Sequence, residues 1–241
     1  MNTTFRHKNM RRPTIRNGVT DDIEVYFNNF FSCNIINKNI NKLLGEEDAI
    51  EKEKRLQELF PNNKITEDEC NVIVETIRDN GYLSSIPSNE YQWLKKIITF
   101  AENIPICITI STARKEHFGF PLVYVNKQFE NVTEYDRHET VGKSCKILQP
   151  AVPIVEEESR HALISNSLQM ATPVSVIVTN IKKSGVKFHN LLSFKPVFND
   201  EAKYIYCIGI QTEITTEPIG EINIRNIEDV LIALTNFQCV V

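Results

Sequence analysis

VKFHNLLSFKPVF (186–198) and YIYCIGIQTEIT (204–215) are the two stretches that decide the fold. Both are rich in β-branched and aromatic residues, which favours strands. Three similar runs precede them: ICITIS (106–111), PLVYVN (121–126) and PVSVIVTNIKKSG (173–185). Lys183, Ser184 and Gly185 form a turn signal between two strands, and residues 126–171 suggest only short helical pieces. The order predicts an α+β domain with a five-stranded antiparallel sheet.

The chain before this β-rich part has helical periodicity. We expect a helical N-terminal region over residues 21–100, in which Thr66 and Glu69 form a capping box and Gly81 marks a helix stop. Residues 1–20 are basic and lack apolar periodicity, so we expect a disordered tail. Residues 217–241 are predicted to form a linker and a short amphipathic helix, IRNIEDVLIALTNF (224–237).

Charge and composition exclude several classes of protein. The 241 residues carry a net charge of −4, so bulk charge does not favour nucleic-acid binding. No apolar run approaches the roughly 18 to 20 residues of a membrane helix, and no secretory signal is evident. The six cysteines are scattered without close pairs. We therefore expect free thiols in a reducing compartment, the cytoplasm or the nucleus, and no integral membrane segment.

Three stretches resemble one known family. FPLVYVNKQFENVTEYDRHETVGKSCKILQ (120–149), KKSGVKFHNLLSFKPVF (182–198) and YIYCIGIQTEI (204–214) are similar to the LOV (light-oxygen-voltage) domain, the branch of the PAS superfamily that senses blue light with flavin mononucleotide (FMN). The resemblance covers roughly residues 101–216. It implies a PAS/LOV fold, preceded here by the helical N-terminal region.

The motif around the reactive thiol departs from the family pattern. The family signature is usually GRNCRFLQ, whereas this chain has GKSCKILQ (142–149). The departures are Lys143, Ser144, Lys146 and Ile147. The resemblance implies that Lys146 stands where the family has an arginine that binds the FMN phosphate. Because lysine cannot give the two parallel hydrogen bonds of arginine, we expect Lys146 to hold the phosphate less rigidly.

The resemblance implies which residues contact the flavin. Asn180, Asn190 and Gln211 match the three amides that line the hydrogen-bonding edge of the ring. Leu192 and Phe194 share a strand face with Asn190, so apolar groups and an amide would meet a flat ring together.

The same resemblance implies contacts to the rest of FMN. Lys146 and Arg160 match the phosphate-binding positions, Gln149 matches a contact to the ribityl chain, and Ser144 replaces an asparagine there. Cys145 matches the thiol that adds reversibly to the excited flavin to form a cysteinyl adduct. No metal site is expected.

These features predict a photoreceptor rather than an enzyme, since no catalytic triad, phosphate-binding glycine loop or metal-ligand spacing is present. The expected output is a conformational change, transmitted through Gln211 to the flanking helices, and acting on an unidentified effector protein or a second copy of the chain. The alternative is a PAS-type protein-interaction module that does not respond to light. Ser144, Lys146, Ile147 and the loop KEHFGFP (115–121) motivate that alternative.

Overall fold

The computed structural model describes Lys54 and residues 64–79, 81 and 86–214. The predicted tail, the helices expected before residue 64 and the closing helix at 224–237 lie outside these residues. The elements in chain order are α1 (Glu67–Asp79), α2 (Ser88–Ala101), β1 (Cys107–Thr112), β2 (Leu122–Val125), α3 (Lys127–Thr133), α4 (Arg137–Thr140), a 3-10 turn (Cys145–Leu148), a second 3-10 turn (Val155–Glu157), α5 (Glu158–Gln169), β3 (Val174–Ile181), β4 (Lys187–Phe198) and β5 (Tyr204–Ile214).

The five strands form one sheet in the order β2-β1-β5-β4-β3, and every neighbouring pair is antiparallel. The prediction of an α+β fold with a five-stranded antiparallel sheet is therefore confirmed. The turn between β3 and β4 lies at Lys183–Gly185 as predicted, and Gly185 has a φ of 90° there. Glycine suits this position because a side chain disfavours positive φ.

Helix α1 begins and ends at the predicted signals. The Thr66 amide donates to Glu69 Oε2 over 2.8 Å and the Glu69 amide donates to Thr66 Oγ1 over 3.3 Å, which is the predicted capping box. Helix α1 ends at Asp79, and Gly81 follows with a φ of 80°.

One face of the sheet, here called the outer face, packs against α1 and α2. It carries Ile108 and Ile110 of β1 and Tyr206, Ile208 and Ile210 of β5, all buried. These side chains form one core with the apolar residues of the two helices: Cys70, Ile73, Val74, Ile77, Trp93, Leu94, Ile97 and Ile98. The ring of Trp93 stacks on Tyr206 with 5.2 Å between centroids. The helices therefore belong to the main core.

Charged groups at both ends of α2 join it to the rest of the domain. Arg137 Nη2 donates to Glu102 Oε1 over 2.6 Å, and Tyr124 Oη donates to Glu102 Oε2 over 2.7 Å. Burial, followed by the Glu102 charge, raises the pKa of Tyr124 well above its usual value, which keeps this donor protonated. At the other end, Arg114 pairs with the buried Glu90.

The opposite face, here called the inner face, is covered by two separate apolar clusters. One joins β1 and β2 to α3 and the first 3-10 turn, through Cys107, Leu122, Val125, Phe129 and Leu148. The other joins β3, β4 and β5 to α5, through Val174, Val176, Val178, Phe194 and Cys207. Helix α5 has 12 residues and is longer than the short helical pieces predicted. The prediction fell short because the sequence of α5 lacks the apolar periodicity that indicates a helix.

Candidate flavin-type ligand site

Three buried carboxamides meet between the two inner clusters. Asn180 on β3, Asn190 on β4 and Gln211 on β5 are each at most 5% exposed, and we call them the amide cluster. Asn190 Nδ2 donates to Asn180 Oδ1 over 2.7 Å and to Gln211 Oε1 over 2.9 Å. Asn180 Nδ2 donates to the Thr179 carbonyl over 3.3 Å. The strands thus bring together all three amides that the sequence singles out.

The amide cluster does not satisfy all of its own hydrogen-bonding atoms. Asn190 Oδ1 is buried and has no hydrogen-bond partner in the part of the chain that the structure describes. A buried acceptor without a donor costs about 1 to 3 kcal/mol. A ligand with an N–H group on a planar edge between carbonyl groups would supply that donor and could accept from the cluster's amide N–H groups. The residues therefore fit the edge of a flavin ring.

Cys145 lies at the start of the first 3-10 turn, beside the amide cluster. Gln211 Nε2 donates to Cys145 Sγ over 3.9 Å, so a single side chain links the thiol to the amides. Burial raises the pKa of the Cys145 thiol to about 12, and the Gln211 hydrogen bond lowers it by less. At neutral pH the group is therefore a protonated thiol, which is a poor nucleophile.

Ser144 has a local role in placing this thiol. It precedes the 3-10 turn, and its hydroxyl accepts from the Lys146 amide over 3.4 Å. The side chain is thus an N-cap that defines where the turn carrying Cys145 begins. Gln149 ends the same turn, and its backbone N–H donates to the Lys146 carbonyl over 3.0 Å.

The sheet beside the amides presents apolar or very small groups. Leu192 lies opposite Gln211 and Phe194 lies opposite Gly209 in the β4–β5 register. A Cβ added at Gly209 would come within 2.6 Å of Thr109 Oγ1, so a larger residue would require Thr109 to shift. The flat surface left by Gly209 and the side chains of Leu192 and Phe194 suit the face of an aromatic ring.

The two candidate phosphate-binding cations lie on different elements. Lys146 is exposed on the first 3-10 turn, and Arg160 is partly buried near the start of α5. The first 3-10 turn packs in the apolar cluster over β1 and β2, whereas α5 packs in the cluster over β3, β4 and β5.

Two buried thiols on the inner face were not among the predicted site residues. Cys107 lies opposite Gln211 in the β1–β5 register, and Cys207 is four residues before Gln211 on β5. Burial is the main cause that raises the pKa of Cys107 to about 12 and also raises that of Cys207. Strand alternation could have identified Cys207, since residues two and four positions from Gln211 share its face.

The residues described hold no cluster of three histidine, cysteine, aspartate or glutamate side chains able to bind a metal ion. Nor does any helix among them combine the length and apolarity needed to cross a membrane.

Comparison with known proteins places these features in a family. A family model described as a PAS domain matches residues 105–216. The blue-light photoreceptor of Listeria innocua is 33% identical over 97 residues, which cover 40% of this chain and 37% of that protein. The blue-light-activated histidine kinase of Rhizobium johnstonii is 39% identical over 97 residues, which cover 39% of this chain and 27% of that protein.

A solved structure, the LOV domain of the blue-light activated histidine kinase from Erythrobacter litoralis, aligns with a TM-score of 0.42 and 28% identity, covering 46% of this chain and 98% of that domain. The matched region spans about a third of the length of the two curated relatives. It coincides with the sheet and the helices that cover its inner face. Residues 105–216 therefore form a PAS domain, and this domain is similar in sequence to parts of blue-light receptors.

Proposed function

We propose that the chain is a blue-light photoreceptor that binds FMN and forms a reversible bond between the flavin and Cys145. The observation that carries this proposal is the buried, incompletely paired amide cluster joined through Gln211 to the Cys145 thiol. Relatives named as blue-light photoreceptors support it. The role is sensory rather than enzymatic.

The amide cluster would hold the polar edge of the flavin ring. Asn190 Oδ1 would accept from the ring N–H, and the amide N–H groups of the cluster would donate to ring carbonyls. Leu192 and Phe194 would contact the face of the ring, where apolar side chains contribute through burial. The amide cluster is polar, whereas the surface formed by Leu192 and Phe194 is apolar, and this difference would fix the orientation of the ring.

Lys146 and Arg160 would bind the phosphate, and Gln149 and Ser144 would contact the ribityl chain. Lysine binds phosphate as a point charge, whereas arginine can give two parallel hydrogen bonds. We therefore expect FMN to be retained less firmly than by a LOV domain with arginine in the place of Lys146. The N-cap of Ser144 also uses the hydroxyl that would reach the ligand.

The protein contributes position and protonation to the chemistry. Cys145 holds its proton at Sγ in the dark because its pKa is about 12. When bound, a flavin would supply the absorption of blue light, the electrophilic ring carbon to which Sγ would bond reversibly, and the ring nitrogen that would take up the thiol proton. No protein base is required for this role. Gln211 touches Sγ and also accepts from Asn190, so any change at the thiol alters a hydrogen bond within the amide cluster.

The signal would leave the site through β5. Gln211 points to the inner face, while its neighbour Ile210 is buried in the outer core with α1 and α2. A change in one hydrogen bond is worth about 0.5 to 1.5 kcal/mol, enough to shift a marginal contact. The helical regions beside the domain would pass the change to an effector protein or to a second copy of the chain.

A second candidate is a PAS-type protein-interaction module that has lost photochemistry. It is favoured by Ser144, whose hydroxyl caps the 3-10 turn, and by Lys146 in the phosphate position.

Absorption spectroscopy of the purified full-length chain separates the two candidates. The photoreceptor is expected to be yellow, to bleach under blue light and to recover in darkness. A preparation that stays colourless after incubation with FMN would leave only the interaction module. A preparation that binds FMN but does not bleach would also contradict the photoreceptor.

A further inference from the structure

A charged pair lies directly beyond the amide cluster on the inner face. Lys182 Nζ and Glu213 Oε2 are 2.8 Å apart, although one residue follows β3 and the other lies on β5. The strand between them contributes Phe188, and Lys182 Nζ lies 5.5 Å from the centre of its ring. The side chains of Lys182 and Glu213 are 18% and 32% exposed, so the pair lies at the boundary between the site and solvent.

The sheet register places this pair next to the amides. Asn190 is the β4 partner of Glu213, and Asn180 is the β3 partner of Phe188. The row formed by Lys182, Phe188 and Glu213 therefore follows the row formed by the amide cluster. It closes the polar end of the inner face over three strands.

Cys107 lies behind this row, and the charges of Lys182 and Glu213 affect the pKa of its thiol. The thiol is 2% exposed and is the β1 partner of Gln211, two residues before Glu213 on β5. After burial, the Glu213 charge is the largest cause that raises the pKa of Cys107, whereas the Lys182 charge lowers it by less.

We infer that the Lys182–Glu213 ion pair is a gate that limits the entry of water and small solutes to the amide end of the site. When the pair is closed, it bridges β3 and β5 across Phe188 and shields both Gln211 and Cys107. An ion pair at the surface is weak, so the gate opens transiently. The gate itself does not depend on the proposed function. Its consequence does, since faster entry of water would shorten the lifetime of the light-induced state.

Alkylation of Cys107 by iodoacetamide, followed by peptide mass spectrometry of the full chain, measures the gate without requiring a flavin. Iodoacetamide is uncharged, so the local charges do not steer the reagent itself. Lys182→Met opens the gate and should raise the alkylation rate about two- to fivefold, the range of a weak ion pair. Glu213→Gln should do the same.

The direction of the Lys182→Met effect distinguishes a gate from simple electrostatics. Removing the positive charge raises the pKa of Cys107 and, without a gate, would slow alkylation because the thiolate is the reactive form. A faster reaction therefore supports the gate, and an unchanged or slower reaction overturns it. Two controls exclude a general loss of structure.

The first control is Lys183→Met, which removes the neighbouring ion pair of Lys183 with Glu139, 2.7 Å long, and should leave the Cys107 rate unchanged. The second is Cys70 in the same molecule, which is fully buried in the outer core and should react at the wild-type rate in every variant. Equal acceleration of Cys70 and Cys107 would assign the effect to unfolding and would contradict the gate.

A second measurement addresses the consequence for signalling. In protein loaded with FMN, Lys182→Met should shorten dark recovery about two- to fivefold. If alkylation accelerates but the protein shows no photochemistry, the gate stands and the photoreceptor proposal fails. If the protein bleaches and recovers but alkylation does not respond to Lys182→Met, the gate fails alone.

Discussion

The outer and inner faces of the sheet bury their side chains in different ways. The outer face forms one continuous apolar core with α1 and α2, and ion pairs join both ends of α2 to the domain. The inner face has two smaller clusters, with an amide cluster between them that leaves Asn190 Oδ1 without a partner among the described residues. The outer face is filled by the chain's own apolar side chains, whereas the inner face has a buried acceptor that a ligand would satisfy.

This difference separates stability from function within one sheet. Each strand contributes alternate residues to the two faces, so β5 supplies Ile210 to the core and Gln211 to the site. Changes on the outer face should mainly affect unfolding. Changes on the inner face should mainly affect ligand binding and its chemistry. The following variants test that division, in order of decreasing effect.

Cys145→Ala should abolish the light response completely and retain FMN. The change removes the only sulfur in hydrogen-bond contact with Gln211 among the described residues, while the amide cluster remains. Light-minus-dark absorption spectra measure the effect. Cys207→Ala, which removes another buried thiol of the inner face, is the matched control and should still bleach. Bleaching followed by dark recovery in Cys145→Ala would show that another group reacts.

Trp93→Ala should lower the free energy of unfolding by about 3 to 5 kcal/mol, because it leaves a cavity where the indole stacks on Tyr206. Urea denaturation of the flavin-free protein measures the change. At urea concentrations where the variant is still folded, its affinity for FMN should be close to that of the wild type. A loss below about 1 kcal/mol would mean that α2 is not part of the core.

Asn190→Leu should weaken FMN binding about tenfold, as expected for the loss of hydrogen bonds worth about 1 to 2 kcal/mol. The free energy of unfolding without flavin should also fall, by about 1 to 3 kcal/mol, because Asn180 Oδ1 and Gln211 Oε1 both lose their donor while only one unpartnered oxygen is removed. Fluorescence titration with FMN and urea denaturation give the two values. Unchanged affinity for FMN would remove the amide cluster from the binding site.

Cys107 should make the protein less stable at alkaline pH. Its pKa is raised from 9.0 to about 12, so the stabilising effect is complete below about pH 9 and is lost as the pH rises towards 12. Between about pH 8 and about pH 10, the free energy of unfolding of the wild type should fall by about 1 kcal/mol more than that of Cys107→Ala. Equal falls in both proteins would indicate that the thiol ionises normally in the folded state.

Local patterns made much of the fold predictable. The strands, the Lys183–Gly185 turn and the capping box of Thr66 and Glu69 each depend on residues close in sequence. Helix α5 was predicted only as short pieces, because only Ser167 among its 12 residues is fully buried and no apolar stripe marks it.

Contacts between distant residues could not be predicted in the same way. The resemblance to LOV domains selected Asn180, Asn190, Gln211 and Cys145, and their roles remain predictions. The hydrogen bonds that join these side chains depend on the strand register. The Glu102–Arg137 ion pair and the Lys182–Glu213 pair join residues 35 and 31 positions apart. No local pattern encodes such pairs.

The most direct test of the central claim is a light-minus-dark infrared difference spectrum of the full chain loaded with FMN. Our account predicts that blue light removes one S–H stretching band, that the band returns in darkness, and that Cys145→Ala shows no such change. An S–H region that stays constant while the flavin bleaches would contradict the account, because the sulfur of Cys145 would then keep its proton throughout.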